Sequence, residues 1–214
     1  MHGCKATQIL RSQFVSWAKI RMTENHVDLS RFDGLSFQRG RPALIQAIWL
    51  FLHFLFVRSP LPGSLHRRVL LRCFGAKIGR SVTIKPGVRI KFPWRLTIGD
   101  NAWIGEDAWI DNLQSVVIGA NVCVSQGAYL CTGNHNWSRT TFDLVAQPIT
   151  VEECAWVAAR AVVGPGVTVG AGAILTLNSV AVRDLDSWSI YTGTPAVLMR
   201  KRVIGGQGIR ETLG

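Results

Sequence analysis

Beyond His66 the chain carries a single histidine, His135, set in the polar stretch CTGNHNWSRTTFDLVAQPIT. An imidazole there can act near neutral pH by taking the proton of a hydroxyl as that oxygen attacks an acyl carbon. A solvent-exposed loop histidine without chemistry is the other reading of the same residue. Upstream, in IDNL, stand Asp111 and Asn112. Asp111 reads either as a group that orients a base or a substrate or as a solvated corner residue. Cys131 lies just before His135 and could be a nucleophile, but no second histidine follows to activate it, and it reads as an ordinary thiol. The five cysteines, Cys4, Cys73, Cys123, Cys131 and Cys154, show neither CxxC pairs nor zinc-type spacing. They predict neither a disulfide framework nor a metal site, and a reducing, cytoplasmic compartment suits them.

These residues must be positioned by a repeat of six. Aliphatic residues recur at Ile78, Ile84, Ile90, then Ile98, Ile104, Ile110, then Ile118, Val124, Leu130, and again at Val151, Val157, Val163, Val169 and Leu175. Six residues suit one short strand and a corner, and three such units close a triangular coil. Each rung then points inward, and so does a small or β-branched residue four positions on, as at Val82, Ala102, Val122, Ala155 and Ala173. Glycine often follows the rung directly (Gly79, Gly99, Gly105, Gly119, Gly164, Gly170), which predicts a corner with an unusual backbone conformation. The step lengthens to eight after Ile90 and after Ile110, and the long excursion leaves after Leu130. All three interruptions fall at the same corner, where Trp94, Gln114 and Asn134 break the rule of small inward residues. That stacking places Asp111 and Asn112 one coil below the His135 loop, and loops held by a rigid scaffold often carry function. Trp103, Trp109, Tyr129 and Trp156 share the outward position before a rung and predict a column of exposed aromatics at a subunit or ligand interface.

From Ile78 to Arg202 the chain resembles the hexapeptide-repeat acyltransferases. The segments RFDGLSFQRGRPALIQAIW, FGAKIG, VVIGANVCVSQGAYLCTGNHNWS and PITVEECAWVAARAVVGPGVTVGAGA are similar in order and wording to the colanic acid biosynthesis O-acetyltransferases. The resemblance, over about residues 28 to 202, implies a mainly β fold, a left-handed parallel β-helix of hexapeptide repeats with an N-terminal helical segment and an extended loop. It also implies a homotrimer that takes acetyl-CoA as acyl donor between subunits, with no metal. By the same resemblance His135 is the general base toward a sugar hydroxyl, Asn112 binds the acceptor, and Asp111 orients base or sugar. Trp156 and Ala159 line the acetyl-CoA site, while Arg200, and after it Arg183, approach the coenzyme phosphates. Lys201 and Arg202 read as solvated tail residues. Val197 and the TLNS stretch at 176–179 depart from the family pattern near the coenzyme. A γ-class carbonic anhydrase would need three histidines on neighbouring coils, and His135 stands alone.

The organisation expected is a basic N-terminal segment at 1–77 with an apolar helix, a β-helix domain at 78–190 with its loop at 131–150, and a C-terminal extension at 191–214. A 48% hydrophobic, 17% charged composition excludes a largely disordered chain. Of the net charge of +11, most lies before residue 78. No continuous apolar stretch marks a signal peptide in the first residues, and Met22 is an alternative start. The run ALIQAIWLFLHFLFV, Ala43 to Val57, is shorter than the roughly 18 to 20 residues that span a bilayer. It reads as a helix packed over the end or side of the main domain, or as one lying on a membrane with Arg39, Arg41, Arg58, Arg67, Arg68 and Arg72 at its flanks. His53 within it reads as packed. The second option favours a lipid-linked sugar acceptor of exopolysaccharide assembly at the inner face of the cytoplasmic membrane. A free small-molecule acceptor and a noncatalytic scaffold are the alternatives, and no nucleic acid is expected, because the positive excess sits beside an apolar run.

Overall fold

The computed structural model describes residues 26–34 and 37–205. Cys4, Met22 and the basic residues before His26 lie outside the described residues, as does the end of the C-terminal extension. The described residues fall into two compact units. In the smaller, residues 26–34 and 136–143, a short 3-10 turn Leu29–Arg31 is capped by Asp28, whose carboxylate accepts from Ser30 N at 3.1 Å, and Asp28 N donates to Thr140 O at 2.8 Å.

The larger unit is the expected parallel β-helix, with sheets of five, seven and five strands. One face stacks Ile78, Ile98, Ile118, Val151 and Val169 in register. The next stacks Ile84, Ile104, Val124, Val157, Leu175 and Tyr191. The third stacks Ile90, Ile110, Leu130, Val163 and Ala181. Every rung of the sequence ladder is buried except Ile78, half-buried at the open end. Each buried Ile, Leu or Val contributes about 1.5–3 kcal/mol, and successive coils satisfy one another's backbone, as Gly99 N to Ile118 O and Gly119 N to Val151 O, both 2.7 Å.

The corners work differently from the expectation. Left-handed φ falls three residues after the rung, at Asn101, Asp107 and Asn121 among others, with φ of 58°, 56° and 57°, because Asn and Asp tolerate that region best after glycine. The glycines directly after the rungs serve close approach: a Cβ on Gly99, Gly105 or Gly119 would stand 2.6 Å from the main-chain nitrogen of Ala120, Gln126 or Glu153 in the next coil. On the third face, Trp94 is half-buried and Gln114 and Asn134 are exposed; the buried residues are Phe92, Asn112 and Thr132, two beyond each rung. There the longer step lets one more side chain turn inward before the chain swings out. The aromatics form no single column. Trp103 and Trp156 are exposed on the second face, whereas Trp109 and Tyr129 stack on the third with centroids 4.5 Å apart.

Helix α1 (Ala43–Leu52), a π-helical turn (His53–Val57) and helix α2 (Leu65–Cys73) close the open end of the β-helix. An unpaired strand edge must find partners, and this cap fastens all three faces. Arg72 Nη2 donates to Ile78 O at 2.8 Å. Ser64 Oγ accepts from Ile84 N at 2.9 Å and donates to Ile84 O at 3.1 Å. Trp49 Nε1 donates to Ile90 O at 3.2 Å, while His53 Nε2 accepts from Ile90 N at 3.1 Å. The apolar run therefore packs over the end of the domain. Arg67, expected among the flanking cations, is fully buried and binds the carbonyls of Val57, Ser59, Leu61 and Gly63. Among the described residues no helix is long and apolar enough to cross a membrane. At the other end the strand Val197–Lys201 returns antiparallel on Ser189–Thr192.

Candidate active site

The elongated third-face corner gathers residues twenty apart in sequence. Trp109 pairs with Arg89 below and Tyr129 above, and Asp111 pairs with Cys131. Asp111 is buried, with Tyr129 Oη donating to its Oδ2 at 3.3 Å and Lys91 Nζ 3.1 Å from its Oδ1. The lysine contact is a charge pair without hydrogen-bond alignment, so Oδ1 keeps hydrogen-bonding capacity. Burial first, then the Cys131 thiol and the Asp111 carboxylate, raise the Tyr129 phenol above its ordinary pKa, so it stays protonated and donates.

Asn112, expected to face an acceptor, is fully buried. Its Oδ1 accepts from Phe92 N at 2.9 Å and its Nδ2 donates to Phe92 O at 2.6 Å, so both amide groups are spent on the coil below. Thr132 Oγ1 donates to Asp111 O at 2.8 Å and accepts from Gln114 N at 3.1 Å, while Thr132 O accepts from Gln147 N at 2.9 Å. Thr132 thereby roots both ends of the excursion on the Asp111 corner. The excursion runs through a hairpin, Gly133–His135 against Leu144–Ala146. Half-buried His135 ends its first strand opposite Leu144, and its main-chain N–H donates to Asn134 Oδ1 at 2.8 Å.

The residues expected at the coenzyme divide among three places. Trp156 lies on the second face, 43% exposed, with its indole N–H donating to Ser125 Oγ at 2.9 Å, which fixes the ring while leaving its outer surface open. Trp156, Ile174, Ile190 and Arg200 share one register row, so Arg200 is three strand steps from Trp156, about 14 Å at the usual interstrand spacing. Ala159 follows on the next corner; its carbonyl accepts from Asn178 N at 3.0 Å, and its N–H meets no main-chain carbonyl among the described residues. A fixed open indole and a cation along one row suit a long ligand with an apolar arm and an anionic end, which is the form of acetyl-CoA. Arg183 is exposed on a different edge, the third-face corner above the excursion. Lys201 and Arg202 are no solvated tail: Lys201 Nζ donates to Ser189 Oγ at 2.9 Å, and Arg202 Nη1 donates to Cys154 O and Gly172 O at 2.9 and 2.8 Å. Among the described residues no group of three His, Cys, Asp or Glu could hold a metal ion.

Sequence reasoning missed Lys91, Tyr129 and Thr132 as the partners of this corner. The signal was present in the twenty-residue coil length, which aligns Lys91 with Asp111 and Cys131, and Asn112 with Thr132.

No protein-family model matches the chain. It is 40% identical over 177 residues to an Escherichia coli protein that bears the name of a colanic acid biosynthesis acetyltransferase, covering 82% of this chain and 97% of the relative. To the galactoside O-acetyltransferase of Escherichia coli it is 25% identical over 138 residues, 63% of this chain and 68% of the relative. Among solved structures, a hexapeptide-repeat-containing acetyltransferase from Vibrio cholerae complexed with acetyl coenzyme A superposes with a TM-score of 0.70 at 23% identity, covering 81% of this chain and 93% of that one. A galactoside acetyltransferase in complex with coenzyme A gives 0.67 at 22% identity, covering 74% and 80%.

Proposed function

Because the chain belongs to the hexapeptide-repeat acetyltransferases, in the branch of the colanic acid biosynthesis acetyltransferases, we propose that it moves an acetyl group from acetyl-CoA to a sugar hydroxyl in the assembly of an exopolysaccharide. Acetyl-CoA supplies an acyl carbon already activated as a thioester. His135 takes the proton from the sugar hydroxyl as its oxygen attacks that carbon; the acyl C–S bond then breaks, coenzyme A leaves as its thiol on receiving that proton, and no covalent stage on Cys131 is needed. Asp111 holds the acceptor side of the corner, with Tyr129 keeping one oxygen oriented and the other still able to accept. Asn112 serves from beneath by pinning the coil that carries Asp111. Trp156, Ala159 and Arg200 receive the coenzyme along the second face, and Arg183 meets it from another subunit.

The observation that carries this reading is the rooting of the His135 hairpin, through Thr132, on the Asp111 corner. A corollary concerns assembly. His135 and Trp156 belong to different sides of a triangular coil, so base and coenzyme row meet most simply when a second copy of the chain brings its row to this corner, as in a homotrimer. The reaction belongs to the cytoplasm, at the inner face of the cytoplasmic membrane, where the chain associates peripherally.

The test is His135→Ala. Acetyl-CoA affinity and assembly should stay near wild type while acetyl transfer falls by about 10² or more, the usual span of a general base. Unchanged turnover would remove His135 from the mechanism.

A further inference from the structure

Between α1 and the third face of the first two coils lies a cleft of about 520 Å³, within the roughly 300–1,000 Å³ range of small-molecule sites. Helix α1 contributes Ala43, Gln46, Ala47, Trp49 and Leu50 to its wall, apolar except for Gln46, whose Nε2 is already bound to Arg41 O. Its charged lining comprises four cations, Arg39, Arg58, Arg89 and Lys91, against one carboxylate, Asp111, which is already paired with Lys91. Arg89 lies over the Trp109 ring at 4.4 Å. The guanidinium groups of Arg39 and Arg58 have neither a hydrogen bond nor an ion pair among the described residues. A cleft with uncompensated guanidinium groups suits phosphate oxygens, which arginine binds by paired donors.

Two further features narrow the ligand. At its inner end the cleft reaches Asp111, in register with Cys131, from which the His135 excursion departs. At its outer side it continues onto a helical surface with no polar face: Leu44, Leu50, Phe51 and Phe54 are 63–70% exposed, and Gln46 is the only polar residue of α1. An apolar surface of this extent beside cations marks a lipid contact. A nucleotide would leave that surface bare.

We propose that this cleft binds the diphosphate of a lipid-diphosphate-linked sugar, with the lipid chain along the outer side of α1 and the sugar turned toward Asp111. The inference rests on the sugar-acceptor reading above and names the class of that acceptor. It gives the cap a second role: the inner side of α1 closes the β-helix, and the outer side meets the bilayer from which the acceptor hangs.

The experiment uses the full chain and three soluble probes, farnesyl diphosphate, inorganic diphosphate and uridine diphosphate, titrated by calorimetry. Farnesyl diphosphate should bind at least about 10-fold more tightly than the other two, since it alone fills both the cationic and the apolar parts. The double variant Arg39→Gln/Arg58→Gln changes side chains that make no bond among the described residues and should weaken farnesyl diphosphate about 10-fold. In a second arm, phosphatidylcholine vesicles carrying undecaprenyl diphosphate should capture the chain better than vesicles of equal charge made with phosphatidylglycerol. Equal affinity for uridine diphosphate would make this a nucleotide-sugar site. Insensitivity to the double variant would put the phosphates elsewhere, and equal capture by both vesicles would reduce the surface to general membrane electrostatics. Each of those results overturns the proposal. Acetyl transfer to a panel of free glycosides, measured on the same preparation, reports separately on the sugar-acceptor reading.

Discussion

Asn112 shows how one side chain can stand at a site and act through the main chain. Its amide replaces the ladder bonds that the strand gives up at the corner, pairing with both N and O of Phe92. Truncation would leave two buried backbone groups without partners, each costing about 1–3 kcal/mol. Asn112→Ala should therefore lower the free energy of unfolding by about 2–5 kcal/mol, read by chemical denaturation, with a fall in kcat from the loosened Asp111 corner. A rise in KM for the acceptor with stability unchanged would instead assign Asn112 to direct sugar contact. Tyr129 illustrates the complementary case: its raised pKa keeps the phenol a donor to Asp111 throughout the range in which a histidine base works.

At the scale of elements, the cap is held to the β-helix partly by a neutral imidazole. His53 accepts from Ile90 N, and burial, followed by the Arg58 charge, pushes its pKa down to about 4, against a hydrogen bond with Val88 that acts the other way. The folded state thus resists protonation that the unfolded chain accepts near 6.5. Stability from this group is complete above about pH 6.5 and is lost as pH falls from there to about 4, on the order of 3 kcal/mol in all. Denaturant midpoints measured across that window should fall more steeply for the wild type than for His53→Gln, which cannot gain the proton. Parallel slopes would show that His53 does not carry the acid sensitivity of the cap. The same element explains why the apolar run is confined to 15 residues: it need cover only the end of one coil.

For the whole molecule, the decisive property is that a triangular coil has separate sides. Within one chain the His135 corner and the Trp156–Arg200 row do not share a face. If the proposed trimer completes each site, His135→Ala chains and Trp156→Ala chains, each crippled alone, should recover activity when co-assembled. Random equal mixing would restore about a quarter of the sites, since each needs an intact base side from one chain and an intact row from its neighbour. Activity that stays at the level of the separate variants would place base and coenzyme within one chain.

The six-residue ladder fixed the coil, its register and the common corner of the three interruptions, because a rung shifted by one residue would turn its side chain outward. The placement of Asp111 and of the His135 excursion at one corner was legible for the same reason, since that is where the period breaks. Which polar side chains turn inward was not legible, since the eight-residue step leaves the choice between Asn112 and Gln114 to packing against Phe92. Nor was the role of the glycines after the rungs, which is set by the next coil, or the anchoring of Arg202, which depends on carbonyls from two other corners. The cap belongs to this second group as well. Its apolar sequence announces burial or a membrane, but only the unpaired edge at Ile78, Ile84 and Ile90 decides that Arg72, Ser64, Trp49 and His53 become the strand's missing partners.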